Sequence, residues 1–142
     1  MAYVNQAKKQ KIAAALKLVV PTGWKYSLAV SNHLSICMTI RSAPDDLLGM
    51  VERVRIERAR QRGEREHNPV GTYVQLNHIH PDSFADGEML GTFRKIVEAL
   101  NTDNHDNSDI STDYFDVGHY VDLQLGRWNR PFVCTAPAVL AA

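Results

Sequence analysis

A chain of 142 residues with a hydrophobic fraction of 44% and 23% charged residues has the size and make-up of one globular domain, spanning 1–142, that can bury a core without staples. Cys37 and Cys134 are too few and too widely spaced for a disulfide framework or a zinc pattern, so two reduced thiols are expected. Zero net charge hides a division: residues 1–65 hold twelve Lys or Arg against five Asp or Glu, and residues 66–142 hold four against eleven. A field of one sign steers what approaches it, so this asymmetry bears on partners.

The longest apolar run, Ile12 to Val20 with Lys17 inside it, is far short of a membrane span. No apolar stretch of signal-peptide length follows the charged amino terminus, so a cytoplasmic protein without a membrane partner is expected.

Residues Asn5 to Val19 form the first predicted helix, because Ile12, Leu16 and Val19 keep the i, i+4, i+7 spacing of one buried stripe. Pro21 and Gly23 end it. Lys8, Lys9 and Lys11 cluster near its start, as a solvated face or a nucleic-acid contact. Trp24 to Ser31 and Leu34 to Arg41 alternate as two strands of a hairpin, with Tyr26, Leu28, Val30, Leu34, Ile36, Met38 and Ile40 on the core side. Ser31-Asn32-His33 supplies the turn, and Cys37 falls on the side away from the core.

Ser42-Ala43-Pro44-Asp45 has the form of a helix start: a capping hydroxyl, an early proline and an acid three residues after the serine. The helix it opens would turn Leu47, Leu48, Val51 and Val54 inward and run into an arginine-rich tail. There Arg53, Arg55, Arg58, Arg60, Arg62 and Arg65 interleave with Glu52, Glu57, Glu64 and Glu66. Pairs three or four apart, such as Glu57 with Arg53 or Arg60, can satisfy one another on a solvated face. Arginines in excess over glutamates can equally present Arg55, Arg58 and Arg62 to an anionic partner.

After a polar linker from Gly63 to Gly71, Thr72 to His80 is the third predicted strand, closed by Pro81. His78 and His80 then share one face, two residues apart, as metal-binding histidines on strands do; two ligands do not close a zinc site. Ser83 to Leu100 is the clearest helix, with Leu90, Phe93, Val97 and Leu100 spaced 3, 4, 3 and Ser83 with Asp86 able to form a capping box.

The last patterned stretch joins an aspartate-dense loop to a long strand, from Asp113 to Gly126, stopped by a Gly-Arg-Trp-Asn-Arg-Pro exit. Phe115, Val117, His119, Val121, Leu123 and Leu125 alternate with Tyr114, Asp116, Gly118, Tyr120, Asp122 and Gln124, which favours a central strand. Asp103, His105, Asn107 and Asp109 repeat at alternate positions like the first ligands of a calcium loop. Ser108 stands where such a loop needs glycine and Tyr114 where it needs glutamate. His105 with Asp106 or Asp109 could instead do general acid and base work, or the run could be a stiff turn whose side chains bond the local backbone. Trp128 between Arg127 and Arg130, near Tyr114 and Tyr120, has the composition of an aromatic and basic recognition edge.

The same run carries a family resemblance. Asn104, His105, Asp106, Ser108, Asp109, Thr112 to Phe115, Gly126, Trp128 and Pro131 resemble the closing motif of a large polyvalent protein-associated domain of phage and conjugative-element proteins. The hairpin from Trp24 to Asp46 resembles that family's earlier segment, with substitutions in its motif. The resemblance implies a setting rather than a reaction: an accessory protein of a phage or plasmid that helps the element against host defences.

These readings combine into an α+β domain in the order αββαβαβ, with a largely antiparallel sheet of about four strands and helices mainly on one face. The expected function is binding, by occupying a host protein or protein–nucleic acid complex, with no cofactor and no bound metal. The contact residues expected for it are His105, Asp106, Asp109, Asp113, Tyr114, Tyr120, Arg127, Trp128 and Arg130, together with Arg55, Arg58 and Arg62. One alternative is a metal-assisted enzyme acting on a nucleotide or phosphodiester, with His78, His80, His105, Asp106 and Asp109 as ligands and base. Another is direct nucleic-acid binding through the lysines and arginines.

Overall fold

A computed structural model describes residues 4–65, 69–102, 104 and 118–135. In chain order its elements are α1 (Gln6–Val19), β1 (Lys25–Ser31), β2 (Ser35–Ala43), α2 (Leu47–Gln61), β3 (Val74–Leu76), a single 3₁₀ turn (Pro81–Ser83), α3 (Gly87–Leu100), β4 (Tyr120–Leu125) and β5 (Val133–Cys134). The α+β class expected from the sequence is the class observed.

The sheet departs from the expectation. It is mixed and has five strands, ordered β1-β2-β4-β3, with β5 also paired to β2. β1 with β2 and β3 with β4 are antiparallel, but β2 runs parallel to both β4 and β5. Alternation tells which side of a strand is buried and not which way its neighbour runs, so an antiparallel sheet was the simplest reading of strands with one polar face. A parallel β2–β4 pair needs a crossover, and the segment holding α2, β3 and α3 provides it.

Alternate residues of the strands meet the helices in one core. Ile36, Met38 and Ile40 of β2, Val121, Leu123 and Leu125 of β4, and Val74 and Leu76 of β3 are buried. They cluster with Ile12 and Leu16 of α1, Leu47, Met50 and Val51 of α2, and Phe93, Ile96, Ala99 and Leu100 of α3. Each fully buried aliphatic or aromatic side chain of this set is worth roughly 1.5–3 kcal/mol. Phe93 is the hub, with Phe84 edge-on at 5.0 Å and Trp24 tilted at 5.7 Å between ring centroids. At the margin of this core His119 is buried, its Nε2 2.8 Å from the Leu100 carbonyl, while its backbone N–H donates to Asn104 Oδ1 at 2.8 Å.

Several boundaries differ from the sequence reading, each for a local reason. Asn5 caps α1 by accepting from the Lys8 N–H at 2.8 Å, as its polar side chain before an apolar periodicity requires. The cap of α2 is Asp46, whose Oδ1 accepts from the Gly49 N–H at 3.0 Å; Ser42 and Ala43 belong to β2, held there by their pairing with Val133 and Cys134 of β5. α3 begins at Gly87 after Asp86, which makes no side-chain cap bond, and Ser83 donates instead to the His80 carbonyl at 2.6 Å. β3 stops at Leu76 because Asn77 turns the chain: its Oδ1 accepts from the Ile79 N–H at 3.1 Å and its carbonyl from the His80 N–H at 3.1 Å. His78 and His80 therefore lie in a turn and not on a strand face. Asn32 and His33 form the hairpin turn with positive φ, the backbone that a tight turn between twisted strands requires.

Candidate functional site

With all three helices contributing to one core, the described residues leave the other side of the sheet as a polar face. Register places Ser27 of β1 opposite Thr39 of β2, Thr39 opposite Gln124 of β4, and Gln124 opposite Gln75 of β3, so one row of polar side chains crosses the sheet. Gln124 Nε2 donates to Thr39 Oγ1 at 2.9 Å, and Gln75 Nε2 lies 3.4 Å from Asp122 Oδ1. Cys37, in the next row opposite Asp122, is half-buried, and burial raises its thiol pKa, so it is held as a thiol rather than a nucleophilic thiolate.

The two ends of this face differ in charge. At one end Gln75, Leu76, Asn77, His78, Val121 and Asp122 line a hollow of about 350 Å³. Burial there lowers the His78 pKa, against the opposing pull of the Asp122 carboxylate. At the other end Ser27, Thr39, Arg41, Arg127 and Arg130 line a cavity of about 220 Å³. Arg41 arrives there through a break in register: Tyr26 faces Ile40 and Lys25 faces Ser42, which leaves Arg41 as the extra residue of a bulge. A bulge of this kind bends the strand and re-aims a side chain.

Arg127 and Arg130 arrive through the turn after β4. Their backbones exchange hydrogen bonds, Arg127 N–H to the Arg130 carbonyl at 2.8 Å and Arg130 N–H to the Arg127 carbonyl at 3.1 Å. Gly126 makes the entry with φ +66, and a Cβ there would stand 2.5 Å from the Phe132 nitrogen. Only glycine combines that φ with that approach. Buried Phe132 fastens the far side, its N–H donating to the Thr72 carbonyl at 2.9 Å. The tip of this braced turn is Trp128, 78% exposed.

Of the expected contact residues, Arg127, Trp128 and Arg130 are brought together in this turn. Tyr120 is exposed but stands at the other end of β4, and five strand steps put it roughly 16 Å from Leu125, so it is not part of the Trp128 edge. His105, Asp106, Asp109, Asp113 and Tyr114 lie outside the described residues, as do the calcium-like spacing and the first half of the long strand. The α2 arginines form a separate group. Arg58 Nη2 contacts Asp82 Oδ2 at 2.8 Å, Arg62 Nε contacts Glu64 Oε1 at 2.9 Å, Arg60 pairs with Glu57 at 3.5 Å and Arg53 with Asp86 at 3.7 Å. Arg55 lies 3.5 Å from the Pro69 carbonyl.

Ser27, Thr39 and Arg41 were absent from the sequence reading of the site. The signal available for them was the polar half of the hairpin alternation, which reads only as solvent-facing until the register is known. Among the described residues no group of three or more His, Cys, Asp or Glu could hold a metal ion, and no helix is long and apolar enough to cross a membrane. Comparison with family models finds no match, and no curated protein or solved structure compared with the chain matches it.

Proposed function

We infer that the protein is a binding protein, an accessory factor of a phage or mobile element that acts in the host cytoplasm by occupying a host protein or protein–nucleic acid complex. One observation carries the binding reading: a tryptophan 78% exposed at the tip of a turn that is braced on both sides. An indole is among the largest apolar groups a chain can present, and tryptophan and arginine together are the residues that dominate binding interfaces. A turn built this rigidly spends little conformational entropy when a partner covers it. The phage or plasmid setting, and the anti-defence role within it, rest only on the resemblance carried by the Asn104 to Pro131 run and the Trp24 to Asp46 hairpin.

The test is retention of host components on immobilised protein, compared with the Trp128→Ala variant. The expected result is a host species held in stoichiometric amount by the native chain and depleted at least about tenfold by the substitution, the loss typical of a binding hot spot. Equal retention by both proteins, or no retained species together with no protection of a phage or plasmid from any host defence, would overturn the reading.

A further inference from the structure

The cavity at the basic end of the polar face is lined by residues from three separate parts of the chain, and their chemistry is one-sided. Arg41, Arg127 and Arg130 carry guanidinium groups, which donate hydrogen bonds and never accept them. The Thr39 hydroxyl accepts from Gln124 and bonds the Cys37 sulfur, while Ser27 adds a hydroxyl with no described partner. Among the described residues no carboxylate forms an ion pair with Arg41, Arg127 or Arg130, whereas Arg53, Arg58 and Arg60 of α2 and its capping residue Arg62 each have one. Three like charges gathered around one cavity repel one another, and an anion between them removes that cost.

Size and donor number narrow the anion. A volume of about 220 Å³ lies below the roughly 300–1,000 Å³ of pockets that enclose a whole organic ligand, so a single small group is held. A planar carboxylate is satisfied by one guanidinium fork, while three forks and the Ser27 hydroxyl match an oxyanion with more oxygens to satisfy. The exposed indole of Trp128 sits in the same four-residue turn as two of the arginines. Cationic grooves flanked by an aromatic ring are how proteins hold single strands without reading their sequence.

We propose that Arg41, Arg127 and Arg130, with Ser27 and Thr39, form a pocket for a phosphoryl group carried by a nucleotide or a single-stranded nucleic acid, with Trp128 stacking on the attached base. This deepens the binding reading above by naming the chemistry that its contact surface takes, and it requires no particular host partner.

The test is a titration of the full chain, followed by amide chemical shifts, with inorganic phosphate, thymidine monophosphate and an oligothymidine of about ten nucleotides, a length within the site size of one small binding module. Saturable shifts on the strands around Ser27, Thr39 and Arg130 are expected with all three probes. Affinity should rise from phosphate to nucleotide to strand and fall as salt is raised. Arg41→Ala and Arg130→Ala should each weaken binding about tenfold, as expected for a charge-assisted contact. Trp128→Ala should weaken the nucleotide and the strand while leaving inorganic phosphate unchanged. Ser27→Glu, which sets a carboxylate in the cavity, should abolish all three and serves if an arginine variant fails to fold.

A strand that binds no tighter than the mononucleotide assigns the pocket to free nucleotides. Absence of saturation with every probe below about 10 mM overturns the proposal, since affinity that weak is not a site. So does binding that survives both arginine substitutions, or a glutamate-rich peptide that binds more tightly than every phosphate probe. Host-partner retention that survives Arg41→Ala while phosphate fails to bind would remove this proposal and leave the binding reading standing.

Discussion

The protein has two groups of arginines, and they are used differently. Those of α2 and its capping residue Arg62 lie close together in sequence and are answered by nearby carboxylates: Arg58 by Asp82, Arg62 by Glu64, Arg60 by Glu57, Arg53 by Asp86. Those at the end of the sheet, Arg41, Arg127 and Arg130, come from a bulge and a turn far apart in the chain and share one cavity with no such partner among the described residues. Arginine density in a sequence is therefore a poor guide to where positive charge is available. Exposed arginine–carboxylate pairs give up their field to each other, while a gathered set with no described carboxylate partner keeps it.

The largest way to break this contrast is to remove the scaffold of the second group. Gly126→Ala forces a Cβ to within 2.5 Å of the Phe132 nitrogen and 3.1 Å of the Pro131 carbonyl carbon at a φ of +66. Backbone strain of this kind costs about 1–3 kcal/mol, and the clash adds to it. A urea-unfolding free energy that falls by that amount, with the Trp128 fluorescence shifted, is expected; an unchanged free energy would mean the turn is not braced as described.

Next in size is Thr39→Val, which keeps the shape of a side chain only 2% exposed but strands the donor of Gln124. The expected loss is about 1 kcal/mol in denaturant unfolding. Ser27→Ala, in the same row but without a described hydrogen bond, should move stability by no more than about 0.5 kcal/mol. Equal losses from the two would show that the row is held by packing rather than by the Gln124 bond.

The two arginine groups themselves are separated by a smaller effect. Arg58→Ala should cost roughly 0.2–1 kcal/mol, shrinking as salt is raised, because its pair with Asp82 is exposed. Arg41→Ala should leave the unfolding midpoint unchanged or raise it slightly, because it relieves repulsion from Arg127 and Arg130. A stabilising role for Arg41 equal to that of Arg58 would erase the distinction.

How much of this was legible beforehand follows from what period and spacing encode. The side of each strand that faces the core came directly from alternation: Ile36, Met38 and Ile40 against Cys37, Thr39 and Arg41, and Val121, Leu123 and Leu125 against Asp122 and Gln124. The turn at Asn32 and His33 was legible because few residues accept positive φ. Strand direction was not, because a parallel partner and an antiparallel partner demand the same alternation. The start of α2 was misplaced because Ser42 has the chemistry of a cap and yet is claimed by β5, through its pairing with the distant Val133. The cavity was invisible for the same reason: Ser27, Thr39, Arg41 and Arg127 become neighbours only once β2 has paired with strands on both sides.

The smallest expected effect lies at the other end of the polar face and tests whether its two ends are electrostatically distinct. His78 is half-buried beside Asp122, and burial lowers its pKa below the ordinary value of 6.5 by more than the carboxylate raises it. The folded state thus binds a proton at this ring less readily than the unfolded chain does. Stability owed to neutral His78 is fully present above pH 6.5 and is lost as pH falls through the lower folded value. Between those two values the unfolding free energy should rise with pH, and His78→Gln should flatten that slope without altering stability at pH 8. A slope of the opposite sign, with stability gained on acidification, would mean that Asp122 and not burial dominates at this ring. The hollow beside it would then hold a His78–Asp122 ion pair at low pH, which is neutral overall, and the net positive charge of the face would stay at its arginine end.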